Sequence, residues 1–390
     1  MPGPLHGVRV IDLTHALAGP YGTMLFTDLG ADVIKVEPAA GDVTRNLGPN
    51  LPDDTVRAFG GYFQSVNRGK RSIVLDLKSA DGADLLRELV RDADVLVENF
   101  SLDVMDRLGL SYEALQEINP RLVYGSLRGY GDPRLGKSPY AAWPAMDISI
   151  QAQAGAMGIT GLEDGTPIKI GPGIGDIFPG TLLAVGILAA VIHARETGRG
   201  QLVDVAMYDA ILSLSERIVY QHSYTGAVPG PQGNGHPFWS PFDVFEAKDG
   251  WIAIAAPTPP RWRALCVAME RPQLAEDPRY DSPSNRSDRR VEVRDIVEEW
   301  TSVRTRAEIV ASLGGIVPVG PVNTVADIVE DPHVAAREMI VAVEQPGAGR
   351  DVRIAGSPIK LSETPSSVKG RAPLLDEHAD DIRDAARRWL

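Results

Sequence analysis

Hydrophobic and polar positions in the first half of the chain follow two rhythms in turn. Residues 8–13, 32–37, 72–77, 94–98 and 122–127 are short runs rich in Val, Ile and Leu, which predict strands. Between them, Ala80–Arg91 places Leu85, Leu86, Leu89 and Val90 at the spacing of a helix laid on a sheet. Strand and helix in alternation define βαβ units and a parallel sheet, so the fold class is α/β. The first strand turns at THALAGPYG, where a nicotinamide or flavin enzyme would carry GxGxxG. A dehydrogenase loses its main support there.

The longest apolar run, residues 181–194, is too short to cross a bilayer and reads as a helix buried on most sides. Composition changes at residues 225–237, TGAVPGPQGNGHP, a stretch rich in Gly and Pro that reads as a linker or loop. The run PFDVFEAKDGWIAIAA follows, with Asp249-Gly250 as a hairpin signal. A second irregular stretch, residues 314–323, leads back to helical and extended segments. The predicted organisation is a large α/β domain over residues 1–224, a linker at 225–237, a smaller α+β domain over 238–320, and a return to the large domain over 321–390.

With 390 residues, 44% of them hydrophobic, the chain can bury two cores. Thirty-nine basic against 52 acidic residues give a formal charge of −13, which argues against a nucleic-acid partner but allows a local basic pocket for phosphates. Cys266 is the sole cysteine, so neither an intrachain disulfide nor a cysteine-based zinc site is expected, and its role is packing. The start, MPGPLHGVRVIDL, lacks the pattern of a signal peptide. A cytoplasmic protein without a membrane partner is the expectation.

Residues 171–180, GPGIGDIFPG, hold one carboxylate, Asp176, ahead of the apolar run. Gly171, Gly173 and Gly175 permit positive φ angles and close approach by a ligand, and they leave Asp176 as the polar side chain of a bare bend. Such a carboxylate can serve as a nucleophile if its surroundings stabilise charge on the attacked carbonyl. The same residue types also precede helices as N-caps.

Ordered motifs then run nearly the length of the chain: VRVIDLTHALAGP, LGADVIKVEP, GDVTR, NRGKRSIVLDLK, ADVLVENF, MDRLGLSYEAL, INPRLVYGSLRGYG, GDIFPGTLLAVGILAAVIHARETGRGQLVDVAMYDA, GPVNTVADIVEDPHV and GSPIKLS. Together they resemble the class III coenzyme A transferases of the CaiB/BaiF type, which include formyl-CoA, carnitine-CoA and succinyl-CoA-dependent transferases and the related α-methylacyl-CoA racemase. The resemblance implies a Rossmann-like large domain, a ring-shaped protomer and an interlocked homodimer. It makes Asp176 the catalytic nucleophile, which forms a mixed anhydride with the donor acyl group and then an aspartyl-CoA thioester. It further implies that coenzyme A is held by His15, Ala16, Leu17, Ala18, Arg45, Leu75, Lys78, Asn99, Phe100, Ser101 and Arg107. Asp147, Gly235 and His236 are implied as supporting residues, with residues 233–236 either a lid or a plain linker. Coenzyme A and its acyl thioesters are then substrates, together with a carboxylic acid, and neither a metal nor a permanently bound cofactor is expected.

Departures from the family pattern narrow the chemistry. Where the racemase branch has a His-Asp pair, this chain reads Pro144-Ala145-Met146-Asp147, and Met146 cannot move a proton. Racemisation is therefore the alternative reading, with a catalytically silent coenzyme A-binding protein as a third. Leu17 replaces the Gln of formyl-CoA transferases, which removes a side-chain amide from the acyl pocket and argues against formate and oxalate as substrates, and Pro38 stands where an Arg is common, which leaves Arg45 to supply charge. Tyr140, Trp143, Phe238 and Trp239 are candidates for an aromatic wall. Arg128, Lys137 and Lys169 are the cations available to a second substrate carboxylate.

Overall fold

Val10 and Ile11 are consecutive in the first strand, yet they are buried in two different hydrophobic clusters. Successive side chains of a strand point to opposite faces, so this alternation means that the sheet is covered on both sides. In the computed structural model, which describes residues 2–387, the sheet is formed by β1 (Arg9–Asp12), β2 (Asp32–Glu37), β3 (Arg71–Val74), β4 (Val95–Glu98), β5 (Val123–Arg128) and β6 (Leu202–Ala206). All pairings are parallel and the order is β3-β2-β1-β4-β5-β6. That is the doubly wound order, with its switch point between β1 and β4.

One face packs against helices Ala18–Asp28 and Ile174–Thr197 through Phe26, Leu183 and Ile187. The other packs against Ala80–Arg91 and Tyr112–Ile118 through Leu86, Val90 and Leu115. Each fully buried aliphatic side chain of this kind contributes about 1.5–3 kcal/mol of transfer free energy. Five strands form where the hydrophobic pattern places them, within a few residues, and helix Ala80–Arg91 has the predicted bounds. Strand β6 was not anticipated. Its residues are only partly buried up to Val205 and carry Asp204 in the middle, so an edge strand merged into the apolar stretch that follows it.

The long helix differs from its prediction in two ways. It runs for 24 residues, Ile174–Thr197, rather than from Thr181, so the bend carrying Asp176 is itself the helix's first turn. It is also not buried on most sides, because Val185 and Ile192 are 59% and 61% exposed. Length and mean hydropathy would satisfy a membrane span. Its Leu183, Ala184, Ile187 and Ala190, however, lie in the core beside the sheet.

Residues 2–157, 169–228 and 332–387 form one compact unit, and residues 158–168 with 229–331 form a second. The second begins inside the Gly/Pro-rich stretch and also takes in residues 158–168, whose Gly161 carbonyl accepts the Gly233 amide. It holds an antiparallel sheet of β7 (Phe242–Ala247), β8 (Gly250–Ala255) and β9 (Val319–Pro321). The β7–β8 hairpin turns at Lys248-Asp249, as the Asp-Gly signal predicted. Strand β9 forms within the stretch read as irregular, since Val319 and Gly320 pair with Ile254 and Ala253. Cys266 is buried beside Trp262, Val293 and Ile309, in the packing role expected of it.

Candidate active site

At the switch point the chain leaves β1 and β4 in opposite directions, which opens a crevice at the carboxyl ends of the strands. Two segments flank it, and they are stitched together. The His15 amide donates to Asn99 Oδ1 at 2.8 Å, and Asn99 Nδ2 donates to the His15 carbonyl at 2.9 Å. The rings of His15 and Phe100 lie 5.5 Å apart. Ala16 adopts a left-handed φ of 63°, a conformation that costs a non-glycine residue of order 1–3 kcal/mol and persists only when its surroundings enforce it.

A buried charge network lies beneath the turn. Lys70 Nζ donates to Asp12 Oδ2 at 2.8 Å, and Lys35 Nζ lies 3.0 Å from Asp42 Oδ2 and donates to the Thr14 carbonyl at 2.8 Å. All four of these charged side chains are inaccessible to solvent. Burial opposes ionisation of Asp12, but the charges of Lys70 and Lys35 outweigh it and hold the carboxyl well below its usual range. Burial, assisted by Lys35, also lowers the His15 pKa against the pull of Asp42, so the ring is neutral at pH 7.

Asp176 sits in the first turn of helix Ile174–Thr197, three residues after Gly173 as N-cap. The N-cap alternative is thus excluded by its position. None of Gly171, Gly173 and Gly175 has a positive φ. Close approach is what two of them provide. A Cβ on Gly175 would stand 2.9 Å from the Asp147 carbonyl oxygen, and one on Gly173 2.9 Å from Leu17 Cδ2. Further along, a Cβ on Gly180 would lie 2.2 Å from the Ala18 carbonyl oxygen, so the two site-bearing helices meet almost backbone to backbone.

A helix N-terminus favours an anion, yet burial first, and the nearby Asp147 charge second, push Asp176 up to about 6. Asp147 opens helix Asp147–Gln153. Its Oδ1 accepts the Gly175 amide and Gln151 Nε2, both at 2.8 Å, while Lys169 Nζ stands 3.4 Å from its Oδ2. A carboxylate of raised pKa in a crevice is a recurring mark of catalytic sites.

These residues line one cavity of about 610 Å³. It brings together His15, Ala16, Leu17, Ala18, Asn99, Phe100 and Ser101 with Asp147 and Asp176. Trp143 lines it too, with Tyr140 packed on Trp143 at 4.6 Å. Met146 is a lining residue as well, 74% exposed.

Other candidates lie elsewhere. Arg45 is buried, with Nε and Nη2 on Glu37 at 2.7 and 2.6 Å and Nη1 on the Pro373 carbonyl, so its guanidinium is committed to the protein and not to a ligand. Leu75 belongs to the core, while Lys78 and Arg107 are exposed outside the cavity. Gly235 and His236 line a cavity of about 460 Å³ within the second unit, where His236 stacks on Trp239 at 5.0 Å. Lys137 does not reach the crevice lining either.

Tyr62 is a lining residue that sequence reasoning missed. Burial raises its hydroxyl pKa, and the Asp176, Asp42 and Asp147 charges add to the rise. No motif marks it, because it reaches the crevice from helix Gly61–Asn67.

A carboxylate of raised pKa thus lines a cavity at the switch point of a doubly wound sheet, the place where open α/β folds bind their ligands. The CoA-transferase family III model matches residues 5–379. Over 384 residues the chain is 50% identical to succinyl-CoA:mesaconate CoA-transferase of Haloarcula hispanica, covering 98% of this chain and 96% of that protein. It is 40% identical to acetyl-CoA:oxalate CoA-transferase of Acetobacter aceti, covering 98% and 95% of the two chains. The crystal structure of a CAIB/BAIF family protein from Brucella suis superposes with a TM-score of 0.87 at 37% identity, over 99% of this chain and 100% of that one. The chain belongs to CoA-transferase family III.

Proposed function

We propose that this protein transfers coenzyme A from an acyl-CoA donor to a dicarboxylic acid through covalent intermediates on Asp176. An Asp176 oxygen attacks the donor thioester carbonyl, the C–S bond breaks, and coenzyme A leaves as thiolate from a mixed anhydride. The thiolate attacks the Asp176 carbonyl, releasing the donor acid and leaving an aspartyl-CoA thioester. The acceptor carboxylate attacks that thioester and expels the thiolate again. The thiolate finally takes the acceptor acyl group, and Asp176 returns as carboxylate.

The observation that carries this reading is Asp176 itself, partly desolvated at a helix start, pushed up to about 6, and lining a cavity with the turns that follow β1 and β4. A carboxylate of that basicity is a better nucleophile than an ordinary aspartate and is still mostly ionised at pH 7. The dicarboxylic class follows from the similar proteins, whose names carry succinyl, mesaconate and oxalate. His15 to Ala18 and Asn99 to Ser101 hold the pantetheine arm, and the exposed Lys78 and Arg107 meet the phosphates. A homodimer is the assembly we favour, in keeping with the exposed Val185 and Ile192 of the long helix.

Mass spectrometry tests the chemistry. After incubation with a panel of acyl-CoA donors, the protein should carry an acyl or coenzyme A mass on the peptide containing Asp176, and hydroxylamine should remove it. Turnover that persists in Asp176→Asn would reject the reading. Exchange of an α-proton into deuterated water without any acceptor acid would favour the racemase instead.

A further inference from the structure

Among the described residues lining the Asp176 cavity, the Lys and Arg side chains are Arg128 and Lys169. Their commitments differ. Arg128 Nη2 donates to Glu98 Oε1 at 2.7 Å, its Nη1 bonds Asp132, and its Nε faces the Phe100 carbonyl at 3.4 Å. Its side chain is 6% exposed. Two buried carboxylates already neutralise it, so a substrate anion would have to displace one of them.

Lys169 is placed otherwise. Its side chain is 35% exposed, and Nζ donates to the carbonyls of Ile170 at 2.7 Å and Gly171 at 3.1 Å. Asp147 Oδ2 stands 3.4 Å away, on a carboxylate already anchored through Oδ1 by Gly175 and Gln151. The ammonium is therefore folded back on its own loop by neutral acceptors, on a four-carbon stem that can swing. The cavity also holds the charges of Asp147 and Asp176, so a second substrate carboxylate entering it meets repulsion unless a cation accompanies it.

We propose that Lys169 binds the carboxylate of a dicarboxylic substrate that does not react, and so selects dicarboxylic over monocarboxylic acids. This rests on the coenzyme A transfer proposed above. On binding, Nζ leaves the Ile170 and Gly171 carbonyls for the substrate oxygen, while the other end of the acid faces Asp176.

Succinate and succinamate test it as acceptors, with isotope-labelled succinyl-CoA as donor. The two acids have nearly the same size and differ in the charge of one end. The wild-type protein should prefer succinate. Lys169→Met should lower kcat/KM for succinate by about tenfold to a hundredfold and that for succinamate by less than about threefold. Lys169→Arg should restore most of the preference. Equal losses with both acids would overturn the proposal, because they would show Lys169 acting only through Asp147, and so would no loss with either. A circular dichroism melt matching that of the wild type establishes that Lys169→Met is folded. Absence of wild-type exchange with any acid, and of an Asp176 adduct, would instead remove the coenzyme A transfer reading, and this proposal with it.

Discussion

Asp147 Oδ1 accepts the amide hydrogen of Gly175 at 2.8 Å, so one carboxylate fastens the backbone immediately before another. The contact both positions and perturbs Asp176. It satisfies an orphan donor of the helix start, and it brings a negative charge close enough to raise the Asp176 pKa.

The two effects separate by substitution. Asp147→Asn keeps an oxygen for the Gly175 amide but removes the charge, so Asp176 should titrate below about 6 and the acid limb of the kcat/KM profile should move down in pH. Asp147→Ala removes the acceptor as well and should cost about 0.5–2 kcal/mol of stability. A pH–rate profile of Asp147→Asn that overlays the wild type would reduce Asp147 to a cap.

Asp176 should weaken the fold that carries it. Its carboxyl titrates near 3.8 when unfolded and near 6 when folded, so the native state holds the extra proton between those values. Stability from this group is therefore lost as pH rises through that interval and stays lost above it, by up to about 3 kcal/mol. Asp176→Asn, which does not titrate, should melt higher than the wild type at pH 7.5 and converge with it as pH falls toward 4. Identical melting curves at pH 7.5 would show that the carboxylate carries no such strain.

Much of the fold was legible because strands buried on both faces read as continuous apolar runs, and Ala80–Arg91 has a regular helical period. Strand β6 escaped because an edge strand with a central Asp204 has no such run. Residues lining the Asp176 cavity were legible where motifs coincide with the turns after β1 and β4. Arg45 misled because a cation after a strand reads the same whether it meets a phosphate or, as here, a buried Glu37. The glycines before Asp176 were found for the wrong reason. Sequence marks where side chains are missing, but not whether the cause is a φ angle or a neighbour.

Those glycines should not be equivalent. Nothing lies within 4 Å of a Cβ built on Gly171, so Gly171→Ala should change stability and activity little. Gly180→Ala would drive a methyl to 2.2 Å from the Ala18 carbonyl oxygen and Gly175→Ala to 2.9 Å from that of Asp147. Overpacking of this kind costs about 1–3 kcal/mol. Both should also lose kcat, because each clash falls on the helix that carries Asp176. Parallel thermal melts and initial rates decide it, and a Gly180→Ala protein as active as Gly171→Ala would refute the close approach.

The buried pair below the turn makes the last prediction. Lys70 donates to Asp12, the Pro20 carbonyl and Asn67 Oδ1, and Asp12 also accepts from Thr14 and Thr23, so the two ions neutralise each other inside a shell of protein hydrogen bonds. Lys70→Met strands the Asp12 charge in a dry interior and should cost about 3–5 kcal/mol. Adding Asp12→Asn removes that charge, and the double variant should recover a large part of the loss, giving a strong coupling in a denaturant double-mutant cycle. Asp12 ends β1 just before the turn that holds Ala16 at positive φ, so coenzyme A affinity should fall with Lys70→Met and return in part with the second change. Additive costs would mean that the two residues are stabilised independently and that the turn owes its conformation to Asp42 and Asn99 alone.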